Sequence, residues 1–127
     1  MTLGVGIDII EVARIRASSE RFGERFLQRI LHPAEIGYCL SHKDPTQFIA
    51  ARFAAKEAIS KAFGTGIGAS LGWHDMEVCR KESGEPYVIM HGKGQELLRE
   101  RRARVPLISL SHTPTYAAAL ATLESAA

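Results

Sequence analysis

Two carboxylates in unusual surroundings are the first residues that suggest chemistry. Asp8 stands inside the apolar run 3–10, and Glu57 stands in an alanine-rich stretch that predicts a packed helix. Burying a carboxylate without a partner costs several kcal/mol, so each one needs a cation, a hydrogen-bond donor or a salt bridge. The alternatives are an exposed strand end or a salt bridge to Arg14 for Asp8, and a solvated ion pair with Lys61 for Glu57.

Together the two carboxylates predict a site for a hard cation. Asp8 and Glu57 offer oxygen ligands without histidine or cysteine partners, a donor set that suits Mg²⁺. This ion keeps several waters and takes further ligands from substrate phosphates. Lys61 lies one helical turn beyond Glu57 and can pair with a phosphate as a point charge.

A second polar group ends the strand predicted near the C-terminus. The segment 109–113 reads Ser-Leu-Ser-His-Thr, and hydroxyl and backbone N–H donors at such a turn suit a phosphate. The alternative is an exposed turn with capping residues. The spacing does not fit a Ser/His/Asp hydrolase, and the glycines of 64–68 are not followed by the Gly-Lys-Ser/Thr of a P-loop.

The pattern of apolar residues assigns these side chains to secondary-structure elements. It predicts strands over 3–10, 76–80, 87–90 and 105–111, and helices over 11–30 (with a break near 18–23), 33–42, 46–63 and 93–104. Residues 116–123 fit a helix by alanine content or a strand by position after a turn. We therefore expect an α+β fold with an antiparallel sheet packed against a long central helix that ends at Gly64.

Length and charge exclude several classes of protein. The 127 residues predict one domain, 1–127, large enough to bury a core. Sixteen Lys+Arg against fourteen Asp+Glu leave a net charge of +2, which argues against a protein that coats nucleic acid. No basic leader precedes the apolar run 3–10, and no stretch is long enough to span a membrane. We expect a soluble cytoplasmic protein without nucleic-acid or membrane partners.

Three segments resemble the motifs of the holo-(acyl-carrier-protein) synthases, the small single-domain class of the 4′-phosphopantetheinyl transferase superfamily. They are Gly-Ile-Asp-Ile at 6–9 with Arg14-Ile15, Phe-Ala-Ala-Lys-Glu-Ala at 53–58 with Lys-Ala-Phe-Gly at 61–64, and Ser-Leu-Ser-His at 109–112. Their order matches the family from residue 3 to about residue 123. The resemblance implies the α+β fold of that superfamily.

The resemblance also implies a reaction and an assembly. The enzyme would move 4′-phosphopantetheine from coenzyme A to a serine of apo acyl carrier protein, for fatty acid biosynthesis, and release adenosine 3′,5′-bisphosphate. Asp8 and Glu57 would hold Mg²⁺ against the pyrophosphate, Glu57 would serve as the base through a water, and Lys61 would contact the phosphates or the leaving group. Family members of this size are homotrimers with active sites at the subunit interfaces.

Further residues are expected to contact the two substrates. Those for coenzyme A are Lys61, Gly64, Pro86, Ser111, His112 and Thr113. Pro86 belongs to a Gly-Glu-Pro turn that resembles the family's hairpin beside the adenine, although a plain turn would use the same residues. His112 has the intrinsic pKa of a general base but is expected to position coenzyme A. The basic stripe Arg14, Arg21, Arg25 and Arg29, flanked by Phe22 and Phe26, would dock the acidic carrier protein, with a solvated face as the alternative.

Two other functions are alternatives to this transferase. A basic RNA- or protein-binding module would use the arginines between 99 and 104 together with the first basic helix, but it leaves Asp8 and Glu57 unexplained. An Mg²⁺-dependent phosphohydrolase would use both carboxylates. Release of bisphosphate from coenzyme A only when apo carrier is present separates the transferase from both alternatives.

Overall fold

A computed structural model describes residues 1–127. Its elements are β1 (Thr2–Glu11), α1 (Val12–Phe22), α2 (Glu24–Ile30), α3 (Pro33–Leu40), α4 (Thr46–Phe63), β2 (Met76–Arg80), β3 (Pro86–Met90), α5 (Gly92–Arg101), β4 (Leu107–His112) and β5 (Tyr116–Glu124), with a 3₁₀ turn at Trp73–Asp75. The strands form an antiparallel sheet in the order β1-β5-β4 and a separate antiparallel hairpin β2-β3. This architecture confirms the predicted α+β class. None of the α-helices combines the length and the apolarity needed to cross a membrane.

Helix α4 packs directly against strand β1, and two glycines allow the close approach. A Cβ atom on Gly4 would lie 2.0 Å from the carbonyl oxygen of Ala62, and one on Gly6 would lie 1.8 Å from that of Ala58. Any side chain at either position would therefore push the strand off the helix. Because side chains alternate along a strand, Asp8 points to the same side as the two glycines. The first motif thus holds a carboxylate against α4.

Strand β5 resolves the segment that the sequence left open. Its inward residues Ala117, Ala119, Ala121 and Leu123 are buried, and the residues between them are more exposed. This alternation with a period of two is the pattern of a strand with one face on a core. Pairing with β1 and β4 on either side therefore overrides the helix propensity of alanine.

Element boundaries differ from the sequence predictions by a few residues. The predicted helix 11–30 breaks at Gly23, whose φ of +58° favours glycine. Helix α5 ends at Arg101, three residues early, and β4 begins at Leu107, after Pro106, which has no N–H for a sheet ladder. Helix α4 begins at Thr46 as predicted, with Pro45 as its N-cap, and Asp44 Oδ1 accepts the Thr46 N–H at 3.2 Å.

The sheet face turned away from α4 is apolar and exposed. Val5, Ile7 and Ile9 of β1 are 58–67% exposed, and Leu107 of β4 is 68% exposed. The strand register sets Ile7 opposite Leu120 of β5, so these side chains form one continuous patch. Contiguous exposed apolar surface of this kind marks an interaction site.

Candidate active site

Asp8, Glu57 and Lys61 meet where β1 crosses α4. Lys61 Nζ donates to Asp8 Oδ1 at 3.0 Å and to the main-chain carbonyl oxygen of Ile7, also at 3.0 Å. Glu57 lies one turn before Lys61, on the same side of the helix. Lys61 is half-exposed, whereas Asp8 is 16% exposed. The structure therefore brings the three residues together in a partly enclosed, accessible site.

The electrostatics of Glu57 show that the site carries more negative than positive charge. Partial burial is the main cause that raises the pKa of Glu57, and the Asp8 charge raises it further, against the opposing effect of Lys61. One ammonium thus faces two carboxylates that repel each other. Two hard oxygen donors with surplus negative charge are what Mg²⁺ prefers, so these residues fit that ion.

A groove of about 570 Å³ is lined in part by Phe53. Phe53 lies on α4, one turn before Glu57. The groove lining consists of Ser18, Phe22, Arg25, Phe26, Arg29, Ile30, Phe53 and Trp73. The Phe53 and Trp73 rings pack with centroids 4.9 Å apart. The groove therefore combines aromatic side chains with two arginines, and its residue Phe53 lies one helical turn from Glu57.

The predicted docking arginines divide between this groove and the surface beside it. Arg25 lines the groove, and the Arg21 guanidinium lies 5.1 Å from the centroid of the Phe22 ring. Arg14 is exposed on α1 outside the groove lining. The break at Gly23 turns α2 relative to α1, so the stripe is not one straight helix face.

The histidine predicted to contact coenzyme A, His112 of β4, lies beside the start of α4 and far from Glu57. His112 Nδ1 donates to Gln47 Oε1 at 2.8 Å. Burial lowers the pKa of His112, and the charges of Arg80 and His42 lower it further. Gln47 precedes Glu57 by ten residues, about 15 Å along the helix axis. Within this chain the structure therefore does not bring His112 and the carboxylates into a single site.

The remaining predicted coenzyme A residues occupy turns. Gly64 ends α4 with a φ of +78° directly after the Lys61 turn. Pro86 lines a cavity of about 300 Å³ between the β2-β3 hairpin and the start of β4. Thr113 Oγ1 accepts the N–H groups of Thr115 and Tyr116 at 3.2 and 3.0 Å, so this hydroxyl organises the β4-β5 turn. Ser111 is exposed beside it.

Sequence reasoning missed a second charged cluster on α4. Lys56 is fully buried, and its Nζ donates to Glu35 Oε1 at 2.8 Å, to the Ile30 carbonyl at 2.6 Å and to the Trp73 carbonyl at 3.2 Å. Burial lowers the pKa of Lys56, and the Glu35 charge opposes that change.

A cation from the same helix completes the cluster. Arg52, 2% exposed, stacks over Tyr38 with its guanidinium carbon 4.3 Å from the ring centroid, and its Nε lies 3.9 Å from Glu35 Oε2. Arg52 and Lys56 are four residues apart among alanines, and this spacing of two cations on a packed helix is the sequence pattern that could have revealed the cluster. Their partner Glu35 comes from α3 and could not be identified by spacing.

Comparison with known proteins identifies the family. The model of the 4′-phosphopantetheinyl transferase superfamily matches residues 4–121. A holo-[acyl-carrier-protein] synthase of Koribacter versatilis is 50% identical over 98% of this chain and 99% of that protein. Among solved structures, that of Neisseria meningitidis has a TM-score of 0.91 at 30% identity, covering 98% of this chain and 100% of the other. The Helicobacter pylori enzyme in complex with coenzyme A has a TM-score of 0.84 at 34% identity, covering 94% and 99%.

The chain therefore belongs to the 4′-phosphopantetheinyl transferase superfamily. Within it, the activity is that of a holo-[acyl-carrier-protein] synthase, the transfer of 4′-phosphopantetheine from coenzyme A to apo acyl carrier protein. A non-enzymatic binding module and a phosphohydrolase are not favoured.

Proposed function

We propose that Asp8 and Glu57 carry this transfer by holding Mg²⁺ against the pyrophosphate of coenzyme A. The observation that supports the proposal is the pair of neighbouring carboxylates, with a raised Glu57 pKa and one shared ammonium. When bound, Mg²⁺ would neutralise the charge of the phosphate oxygens during the displacement.

The chain's own residues then have separate roles. The serine oxygen of the carrier attacks the phosphorus that bears the pantetheine, and the bond to adenosine 3′,5′-bisphosphate breaks. Glu57, the carboxylate of this pair that stands on α4, receives the serine proton through a water. Lys61 exchanges its contact with Asp8 for a phosphate oxygen, which its exposed ammonium permits. His112 uses Nε2 to position coenzyme A, with Gly64, Pro86, Ser111 and Thr113 as further contacts.

We further propose a homotrimer whose active sites combine two subunits. His112 of β4 contacts Gln47 at the start of α4, about 15 Å along the helix axis from Glu57, so a site that sets both beside the same phosphates would need a neighbouring copy. The exposed apolar face of β1, β5 and β4 supplies a surface for that contact. Sedimentation is expected to give three times 13.9 kDa. A fully active species of 13.9 kDa would contradict sites built at interfaces.

The aromatic groove is the proposed dock for the carrier protein. Acyl carrier proteins are acidic, and Arg25 lines the groove, while Arg21 lies over the Phe22 ring of the groove lining and Arg14 stands further back on α1. Charge complementarity there would steer the carrier and hold its register. The groove adjoins Phe53, one turn from Glu57, so a docked carrier would present its serine near the carboxylates. We place the whole reaction in one domain, 1–127, in the cytoplasm.

The decisive experiment measures bisphosphate release from coenzyme A. We expect release only with apo carrier and Mg²⁺ both present, loss on chelation, and recovery when Mg²⁺ is restored. A carrier with alanine at the modified serine is the matched control. Release without carrier would indicate a phosphohydrolase, and unchanged turnover in a chelator would contradict the metal assignment.

A further inference from the structure

A cluster of two histidines and one glutamate lies apart from the proposed active site. His32 precedes α3, Glu77 belongs to β2, and His91 follows β3. One potential ligand atom from each residue lies within 4.8 Å of the other two. The transferase reaction uses none of them.

We propose that His32, Glu77 and His91 bind a zinc-type divalent cation. Two imidazoles and one carboxylate form a donor set that zinc takes in tetrahedral sites with a fourth position left for water. Ligand atoms at about 2.0–2.1 Å from a tetrahedral ion lie about 3.4 Å apart. His91 Nε2 and Glu77 Oε1 are already 2.8 Å apart, so small side-chain rotations complete the geometry.

The surroundings hold one of the rings in a metal-binding form. His32 Nε2 donates to the main-chain carbonyl oxygen of His74 at 2.8 Å, and a carbonyl can only accept. The neutral ring therefore keeps its lone pair on the other nitrogen. Hydrogen bonds of this kind fix the tautomer and the ring orientation of metal-binding histidines. The rings of His32 and His91 lie with centroids 4.9 Å apart.

Charge and access also suit a cation. Glu35 already neutralises the nearby Lys56, so the Glu77 carboxylate has only His91 as a partner among the ion pairs. The His91 side chain is 40% exposed, which gives an ion an entry path and room for a water. Imidazole ligands favour zinc-type ions over Mg²⁺, so the two metal sites would be chemically selective.

A bound ion would join parts of the chain that are distant in sequence. His32 stands between α2 and α3, while Glu77 and His91 belong to the β2-β3 hairpin and its end. The site lies next to the Trp73–Asp75 turn, because the His74 carbonyl holds His32. We assign the ion a structural role, the fastening of the hairpin to the α2-α3 junction.

The test is Zn²⁺ binding to the 127-residue chain, measured by competition with a chromophoric chelator in the presence of excess Mg²⁺. We expect one equivalent per chain and a rise in melting temperature on binding. Co²⁺ in place of Zn²⁺ should give the visible absorption of a tetrahedral site. His91→Ala and Glu77→Gln should each weaken binding by at least ~10²-fold. His42→Ala, which alters a histidine stacked on Phe48, is the matched control and should bind normally.

Saturable binding that survives both ligand substitutions would overturn the proposal, as would the lack of any stoichiometric binding. Circular dichroism checks that each variant folds. If His91→Ala does not fold, Glu77→Gln decides the result, because it preserves the side-chain shape and removes only the charge. The readout is binding and not turnover, so its outcome is independent of the proposed catalytic roles.

Discussion

Helix α4 carries two ammonium–carboxylate pairs of almost equal length and very different character. Lys61 Nζ lies 3.0 Å from Asp8, and Lys56 Nζ lies 2.8 Å from Glu35. Lys61 is 50% exposed, whereas Lys56 is 0% exposed. The distance between charges therefore says little about their role, and the surroundings decide it.

In the buried pair, Lys56 with Glu35, the ammonium and both carboxylate oxygens already have protein partners. Glu35 accepts the main-chain N–H groups of His32 and Val78 at 2.8 and 3.0 Å, in addition to the Lys56 ammonium. Such a pair has nothing to offer a substrate and serves the packing of α3 against α4. The open pair is Lys61 with Asp8. There, water, a metal ion or a phosphate can replace either partner, as phosphoryl transfer requires.

The largest expected effect is on stability, at the buried pair. Lys56→Ala leaves the buried Glu35 with the Arg52 guanidinium, 3.9 Å away, as its remaining cation and should lower the free energy of unfolding by about 3 kcal/mol. Lys61→Ala, the matched change at the open pair, should cost at most about 1 kcal/mol. Urea unfolding measures both variants. Equal losses would show that burial does not distinguish the pairs.

The open pair should instead control turnover. Asp8→Ala and Glu57→Ala each remove a proposed metal ligand and should reduce kcat by at least ~10²-fold while the fold is retained. Glu100→Ala, at an exposed carboxylate on α5, is the control and should leave kcat unchanged. Steady-state assays at saturating Mg²⁺ provide the measurement. Near-normal turnover of either variant would remove that residue from the metal site.

Replacing Lys61 tests whether it binds the phosphates of coenzyme A or serves only as the counterion of Asp8. Lys61→Ala should lower kcat/KM for coenzyme A by about 10-fold, because it removes a phosphate partner in both ground and transition states. Lys43→Ala, at an exposed lysine before α4, gives the comparison. If kcat/KM were the same for both variants, Lys61 would be only the counterion of Asp8.

Carrier docking is expected to respond more weakly. Arg14→Glu should raise KM for the carrier a few-fold, since a rim charge contributes about 0.2–1 kcal/mol and reversal adds repulsion. KM for coenzyme A should stay the same, and the difference should shrink as salt rises. Arg104→Glu is the control on another exposed segment. An unchanged carrier KM would assign recognition to a different surface.

The smallest effect concerns pH and the raised pKa of Glu57. Between its ordinary and its raised pKa, the folded protein binds more protons than the unfolded chain, so Glu57 makes the fold less stable as pH rises through that window. In Mg²⁺-free buffer, Glu57→Gln should therefore gain stability relative to the parent above the window and not below it. Unfolding free energies measured across acidic and neutral pH test this. If the difference in unfolding free energy between Glu57→Gln and the parent did not change with pH, the pKa of Glu57 would not be raised.

Much of the fold could be read directly from the sequence. The short apolar run 3–10, rich in β-branched residues, predicted a strand, and the alanine-rich stretch ending at Gly64 predicted the central helix. Capping residues, glycines and periodicity act within a few residues, so sequence patterns record them. The motif residues Asp8, Glu57 and Lys61 were predicted to act together, and the structure does bring them together.

Only the tertiary structure decided what depends on distant partners. Residues 116–124 became β5 because β1 and β4 pair with both of its edges, against the local preference of alanine. Lys56 and Glu57 are adjacent in sequence, yet about 100° of helical rotation sends one into the core and the other toward solvent. The separation of His112 from Glu57 likewise follows from the length of α4. Burial and long-range pairing select these outcomes, and neither is encoded in the spacing of a few neighbouring residues.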